Sequence, residues 1–122
     1  MALDLPDESA WQWGTGMQFD FQNMTAGEAF EFLTGTVVPR PIALVTTLSL
    51  NGTPNAAPYS FFNIMGIDPP VLALTVLPGA GGGMKETGRN IQDTREFVVN
   101  LVSEEIAEAM NVTCIDGTGR GR

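Results

Sequence analysis

Short polar side chains and flat aromatic ones are interleaved over residues 39–63, PRPIALVTTLSLNGTPNAAPYSFFN. Thr46, Thr47, Asn55, Ser60 and Asn63 supply hydroxyls and carboxamides suited to a phosphate or the edge of a heterocycle, while Tyr59, Phe61 and Phe62 supply flat apolar surface. That combination suits a small anionic, nucleotide-like cofactor. A plainer reading is open on the same residues: threonine is favoured in strands for its β-branched shape, and Ser-Phe-Phe-Asn is a common way for a core strand to end in a turn.

An anionic ligand needs local positive charge in a chain of 122 residues whose net charge is −8. Arg40, Lys85, Arg89 and Arg95 are the candidates, although each taken by itself is more often a solvated surface charge. Six basic residues among fourteen acidic ones cannot easily build the basic face that nucleic acid or an anionic membrane surface requires, so neither is expected as a partner. The chain has no histidine, which removes serine-histidine and cysteine-histidine nucleophilic catalysis and the usual neutral-pH proton shuttle. With a single cysteine, Cys114, a zinc site is excluded on the same grounds and an internal disulfide is impossible. Chemistry is left to carboxylates, hydroxyls, Lys and Arg, or to a bound organic cofactor with its own reactivity.

The elements that must position these residues read as follows. Residues 1–24 mix acids with Trp11, Trp13, Phe19 and Phe21 and form an N-terminal arm. Thr25 followed by Glu28 is a capping box, and Gly35 stands where a helix would end, with Phe30, Leu33 and Phe32 on its buried side. Residues 42–48 form an apolar, β-branched strand, and Asn51-Gly52 predicts a type I′ turn. The return strand, 53–60, carries Pro54 and Pro58, which cannot donate to a ladder and place it at a sheet edge. Asp68-Pro69-Pro70 leads into an apolar run, 71–77, that predicts a strand buried on both sides. The GAGGG segment, 79–83, lacks the Gly-Lys-Ser/Thr of a phosphate-binding loop and reads as a flexible connection. A short helix over 87–94, a strand over 96–102 and a last helix capped by Ser103, packing through Ile106, Ala107, Ala109 and Met110, complete the folded part. Residues 115–122 form a polar tail with nothing to add to a core.

Interleaved strands and helices with a clear hairpin predict an α+β fold around a mostly antiparallel sheet or barrel. Four strands are too few to close a small barrel, so the sheet should have open edges. An acidic N-terminus unlike a signal peptide, no apolar run near the ~20 residues of a membrane span and the lone cysteine suggest a cytoplasmic protein. The sequons at Asn23, Asn51 and Asn111 are then chance matches.

Five ordered patterns between residues 40 and 100 resemble the flavin reductase-like family with the FMN-binding split-barrel fold, in the branch of flavoredoxin and the reductase components of two-component monooxygenases. They are RPIALVTT at 40–47, Asn55 with APYSFFN at 57–63, DPP at 68–70, Lys85 with Thr87 and Asn90, and Thr94 with EFVVN at 96–100. The resemblance implies a Greek-key split β-barrel with flanking helices, incomplete here, with residues 25–114 as the partial domain. It also implies FMN as cofactor, NAD(P)H as electron donor, a homodimer and, for some members, a monooxygenase component as partner. Carried over by position, Thr46 and Thr47 lie beside the isoalloxazine and ribityl chain, and Ala57 and Pro58 give backbone contact. Ser60 approaches the phosphate or ribityl, and Phe61, Phe62 and Asn63 close the pocket. Lys85, Thr87 and Asn90 serve the phosphate end, with Arg40 as a further contact. Hydride transfer from nicotinamide to flavin needs no side-chain acid or base, in keeping with the missing histidine, so the resemblance implies no catalytic side chain. The resemblance fades after residues 113–115, which suggests a shortened product holding the first half of the cofactor groove. The alternatives are a flavin-binding or dimerisation module without activity, or an inactive fragment.

Overall fold

The computed structural model describes residues 17, 19–79 and 81–114. Most of the expected arm and all of the polar tail therefore lie outside the described residues. The chain divides into two units, Met1–Val38 and Pro39–Arg122.

In the first unit a 3-10 turn, Phe21–Asn23, is capped by Asp20, whose carboxylate accepts from the Gln22 backbone N–H at 2.9 Å and from the Asn23 carboxamide at 2.7 Å. Helix α1, Ala26–Thr36, starts as the capping box predicts. The Glu28 N–H donates to the Thr25 hydroxyl at 3.3 Å, and the Thr25 N–H donates to the Glu28 carboxylate at 2.8 Å, satisfying two otherwise orphaned donors. Gly35, expected just past the helix, lies within its last turn, and Val37 is the C-cap, its N–H bonded to the Leu33 carbonyl at 3.0 Å. The expected packing side also changes. Phe30 and Leu33 are exposed, whereas Phe32 is half-buried, its ring 4.2 Å from that of Phe19 and 5.6 Å from that of Phe21. The aromatics preceding the helix meet its Phe32 side, and spacing within the helix could not reveal where they would fold back.

The second unit holds two antiparallel sheets, as the α+β reading expects. The first has the order β2-β1-β5, with β1 Ala43–Leu48 in the centre, β2 Pro54–Tyr59 at one edge and β5 Val98–Leu101 at the other. The proline-bearing strand is thus an edge strand, as its missing donors require. Its hairpin differs from the predicted type. Gly52 has φ of 81°, but Asn51 is not at positive φ. The Gly52 N–H bonds to the Ser49 carbonyl at 2.9 Å and the Ser49 N–H to the Thr53 carbonyl at 3.0 Å, giving a three-residue loop that needs one left-handed residue instead of two. Asn51 serves instead through its side chain, whose carbonyl oxygen accepts from the Thr53 hydroxyl at 2.9 Å.

The second sheet pairs β3, Phe62–Ile67, with β4, Pro70–Leu74, around a cis Asp68–Pro69 bond. Strand β3 raises the count from the expected four to five. A register shift between Ile64 and Gly66 marks a bulge, and a Cβ at Gly66 would come within 3.1 Å of the Pro69 carbonyl, so glycine permits the close approach. The expectation that the run 71–77 is buried on both sides fails, since Val71, Leu72 and Leu77 are exposed. Strand β4 pairs with β3 alone, and among the described residues no second layer covers this ribbon. An apolar run records that cover is wanted without saying where it comes from.

Helix α2, Glu86–Thr94, and helix α3, Ala107–Val112, complete the unit, the latter preceded by a 3-10 turn, Glu104–Ile106. Ser103 occupies the N-cap position without a side-chain bond, and Ala107 and Met110 are half-buried while Ile106 and Ala109 are exposed. The glycine segment is a tight turn, with the Gly79 N–H bonded to the Gly83 carbonyl at 2.9 Å and Gly82 at φ 77°.

Candidate functional site

Alternation along β1 divides the first sheet into two faces. Ala43, Val45 and Thr47 point one way and are almost fully covered, at 0, 0 and 5% exposure. Directly opposite residues share a face, so Asn55 and Ala57 of β2, paired with Thr47 and Val45, lie on this side too. Leu44, Thr46 and Leu48 point the other way, beside Val98 and Asn100 of β5, and there Leu48 and Val98 are exposed.

The packed face is closed by α2 with a polar seam. Thr87 and Asn90, three residues apart on one side of the helix, are 2 and 3% exposed. The Asn55 carboxamide donates to the Thr87 hydroxyl at 2.8 Å and to the Thr47 hydroxyl at 3.3 Å. The Asn90 carboxamide donates to the same Thr47 hydroxyl at 3.0 Å. Three elements distant in sequence are joined by four short polar side chains, each supplying what its neighbour lacks. On the other face the Asn100 carboxamide donates to the Leu44 carbonyl at 3.0 Å and to the Thr46 hydroxyl at 3.3 Å.

Three clefts border these groups. One of about 890 Å³ is lined by Thr46, Thr47, Asn55, Ala56 and Arg95 among others. A smaller one of about 330 Å³ is lined by Asn55, Ala56, Ala57, Pro58, Lys85 and Thr87 among others. The two share Asn55 and Ala56 of β2 as lining residues. A third, of about 930 Å³, lies between the hairpin loop, the glycine turn and α2, where Lys85 and Arg89 are offset by Glu86 and Asp93. Lys85 is the N-cap residue of α2, so its ammonium stands at the end of the helix where the backbone dipoles add positive potential.

Arg40, Ser60 and Phe61 form a separate group. The Arg40 guanidinium donates from Nε to the Ser60 hydroxyl at 3.3 Å and lies 6.0 Å from the centre of the Phe61 ring. Phe62 and Asn63 begin β3, and the Asn63 side-chain oxygen accepts from the Ile64 N–H at 2.8 Å. The sequence-predicted residues therefore fall into three places: Thr46 and Thr47 in the larger cleft; Ala57, Pro58, Lys85 and Thr87 in the smaller; and Arg40, Ser60 and Phe61 together, with Phe62 and Asn63 following. Asn90, expected beside Lys85 at a phosphate, is bonded to Thr47. Among the described residues, none of these three clefts is lined by Thr47, Ser60 and Lys85 together.

The sequence offers Asn55 as a polar group of suitable type but gives it no defined contact, and it does not single out Asn100. Both are carboxamides in the middle of strands, where asparagine is disfavoured, and that misfit was the available signal. Arg95, a candidate cation by sequence, holds the left-handed C-cap of α2 at φ 60° without being glycine and lines the larger cleft. Among the described residues no group of three or more His, Cys, Asp or Glu could hold a metal ion, and no helix is long and apolar enough to cross a membrane.

This geometry can be set beside known proteins. Residues 34–120 match the flavin reductase like domain. The chain belongs to the flavin reductase-like family. YwrF of Bacillus subtilis is 45% identical over 95 residues, covering 78% of this chain and 46% of that protein. The crystal structure of nitrilotriacetate monooxygenase component B from Bacillus cereus superposes with a TM-score of 0.74 at 36% identity, covering 82% of this chain and 50% of that one. Pseudomonas fluorescens 2-nitrobenzoate 2-nitroreductase NbaA gives 0.70 at 42% identity, with 82% and 48% covered. The chain spans about half the length of these relatives. The sequence resemblance to the flavin reductase-like family and its split-barrel neighbours is borne out.

Proposed function

We propose that this chain is an FMN-binding oxidoreductase of the flavin reductase type, which takes hydride from NAD(P)H. The observation that carries the reading is the pair of clefts that share Asn55 and Ala56 as lining residues in a chain of this family. Both border the edge strand β2, with hydroxyls and a roomy lining in the larger and Lys85 in the smaller. That donor set fits a flat heterocycle joined to a phosphate by a polar chain.

In this reading Thr46 and Thr47 hold the ring and the start of the ribityl chain, and Ala57 and Pro58 offer backbone surface along it. Lys85 and Thr87 serve the phosphate, Lys85 with full charge aided by the helix end. Ser60, held by Arg40, and the Phe61, Phe62 and Asn63 corner form the wall that a second copy of the chain would complete, making the working unit a homodimer. FMN, when bound, supplies the hydride-accepting chemistry, and the protein's share is to orient it and exclude water. A monooxygenase component is the proposed consumer of the reduced flavin, supported by the similarity to a protein named for that role.

The test is to add FMN and then NADH to the purified chain. Flavin fluorescence quenched at micromolar protein, with NADH oxidation that depends on FMN, supports the reading; unquenched flavin removes it. The exposed Leu48 and Val98 on the open sheet face favour a second reading, in which this part of the fold binds flavin or dimerises without hydride transfer. Quenching without NADH oxidation would select it.

A further inference from the structure

Arg95 sits where glycine is the ordinary choice. It is the C-cap of α2, with φ 60° and ψ 21°, and among the described residues it alone holds positive φ without being glycine. The conformation is imposed from both sides. The Arg95 N–H is bonded to the Ile91 carbonyl at 2.9 Å, and the Thr94 hydroxyl donates to the Asn90 carbonyl at 2.8 Å while accepting from the Glu96 N–H at 3.3 Å. None of these bonds uses the arginine side chain. A cation does suit the C-terminal end of a helix dipole, but it would serve equally from within the last turn, where no left-handed backbone is required and where α2 carries no basic residue. Sparsely populated backbone of this kind concentrates at functional sites.

Arg95 is exposed, its guanidinium forms no hydrogen bond or ion pair among the described residues, and it lines the larger cleft. The floor of that cleft is the open face of the first sheet: Thr46 and Leu48 of β1, with Ala56 and Pro54 of β2 and Val98 of β5 opposite them. Leu48 and Val98 are 55 and 58% exposed, so this floor is apolar and uncovered. Among the described residues that line the cleft, Arg95 is the one cation and Glu96 the one carboxylate. A guanidinium beside an apolar floor suits a flat ring system whose edge carries acceptor atoms, because its planar fork can bond two of them at once.

We propose that Arg95 is a ligand-binding residue of the larger cleft, where its guanidinium meets the acceptor-bearing edge of a flat ring lying on the Leu48 and Val98 floor, and that the strained cap is kept for this contact. The inference rests on the flavin reading for the identity of the ring. It deepens that reading by adding a charged contact at the ring, separate from Lys85 at the phosphate.

The experiment is a fluorescence titration of FMN and of riboflavin, which lacks the phosphate, against the wild-type chain, Arg95→Gly, Arg95→Asn and Arg95→Lys, with thermal melts to confirm folding. Arg95→Gly relieves the backbone and removes the cation, so it should melt at a higher temperature and yet bind FMN about tenfold more weakly. Riboflavin should lose affinity by the same factor, within about twofold, because the contact is to the ring; riboflavin is uncharged, so a general effect of lost positive charge would not reach it. Arg95→Asn tolerates the left-handed backbone without glycine's added freedom and should show the same loss, which separates the cation from the stiffness of the cap. Arg95→Lys keeps the charge without the fork and should lose about threefold. If Arg95→Gly does not fold, Arg95→Asn carries the comparison. Unchanged affinity in the glycine and asparagine variants, or a loss confined to FMN, would overturn the proposal while leaving the flavin reading intact. A wild-type chain that binds neither ligand overturns both.

Discussion

Replacing Asn55 by leucine should cost this chain more stability than its half-buried position suggests, because its carboxamide is the only described link between the Thr87 hydroxyl of α2 and the edge strand. The magnitude can be worked bond by bond. The 2.8 Å bond to Thr87 has good length and a nearly fully buried acceptor, and a bond of that kind contributes about 1 kcal/mol net. The 3.3 Å bond to Thr47 is longer, and Thr47 keeps Asn90, so its loss adds about 0.5 kcal/mol. Leaving the Thr87 hydroxyl desolvated without its donor adds a further ~1 kcal/mol, for a total of about 2.5 kcal/mol. Thr87→Val alone should cost about 1 kcal/mol, and the double variant should be less destabilised than the sum by about 1 kcal/mol, since the shared bond is counted once. Urea unfolding followed by far-ultraviolet circular dichroism measures all three. Additive losses, within about 0.3 kcal/mol, would show that the seam is a packing contact and that its hydrogen bonds do not couple α2 to the sheet.

Gly52→Ala puts a Cβ at φ 81° with no atom within 4 Å of it, so its cost is backbone conformation alone, about 1 kcal/mol in the same unfolding experiment. Arg95→Gly removes a non-glycine residue from the left-handed cap of α2 and should raise stability by up to about 1 kcal/mol, read as a higher denaturation midpoint. Glu28 is held below the ordinary glutamate range, chiefly by the backbone N–H of Thr25 and then by its hydroxyl. A depressed folded-state value means the cap's contribution is complete above the ordinary carboxylate range and is lost as pH falls through the lower one. Glu28→Gln should therefore flatten the acid limb of a pH-dependent unfolding profile and leave its neutral part with the same slope. Ser60→Ala removes the partner of the Arg40 Nε–H and should weaken FMN binding by about 1 kcal/mol if that corner forms the wall of the site, measured by fluorescence titration.

What could be read from the sequence was whatever is decided locally. Thr25 and Glu28 are three residues apart and complete their cap without help from the rest of the chain. Pro54 and Pro58 place β2 at an edge because a missing N–H has one consequence wherever the strand lies. The hairpin was half legible: Gly52 needed positive φ, but whether Asn51 joined it depended on a loop one residue longer than the dipeptide implies. Strand β3 was hidden because the predicted return strand ends at residue 60 with no strand signal assigned after it, and Asp68-Pro69-Pro70 reads as a lead-in rather than a return. The burial of Val71 and Leu72 was misjudged because an apolar pattern carries no information on which layer covers it. At the site, Thr46, Thr47 and Asn55 stand out by type and Lys85 by charge, yet nothing in the sequence shows that Asn55 bonds both β1 and α2. Its partners Thr47 and Thr87 lie 8 and 32 residues away, separations at which spacing has no force.

The central claim is that the two clefts along β2 form one track with an anion-binding end at Lys85. Parallel equilibrium titrations of the chain with FMN and with riboflavin, which lacks only the phosphate, test it most directly, repeated on Lys85→Ala. The account predicts that FMN binds at least about tenfold more tightly than riboflavin and that Lys85→Ala removes most of that difference while sparing riboflavin. Equal affinity for the two ligands, or a preference for FMN that survives the loss of Lys85, would contradict it.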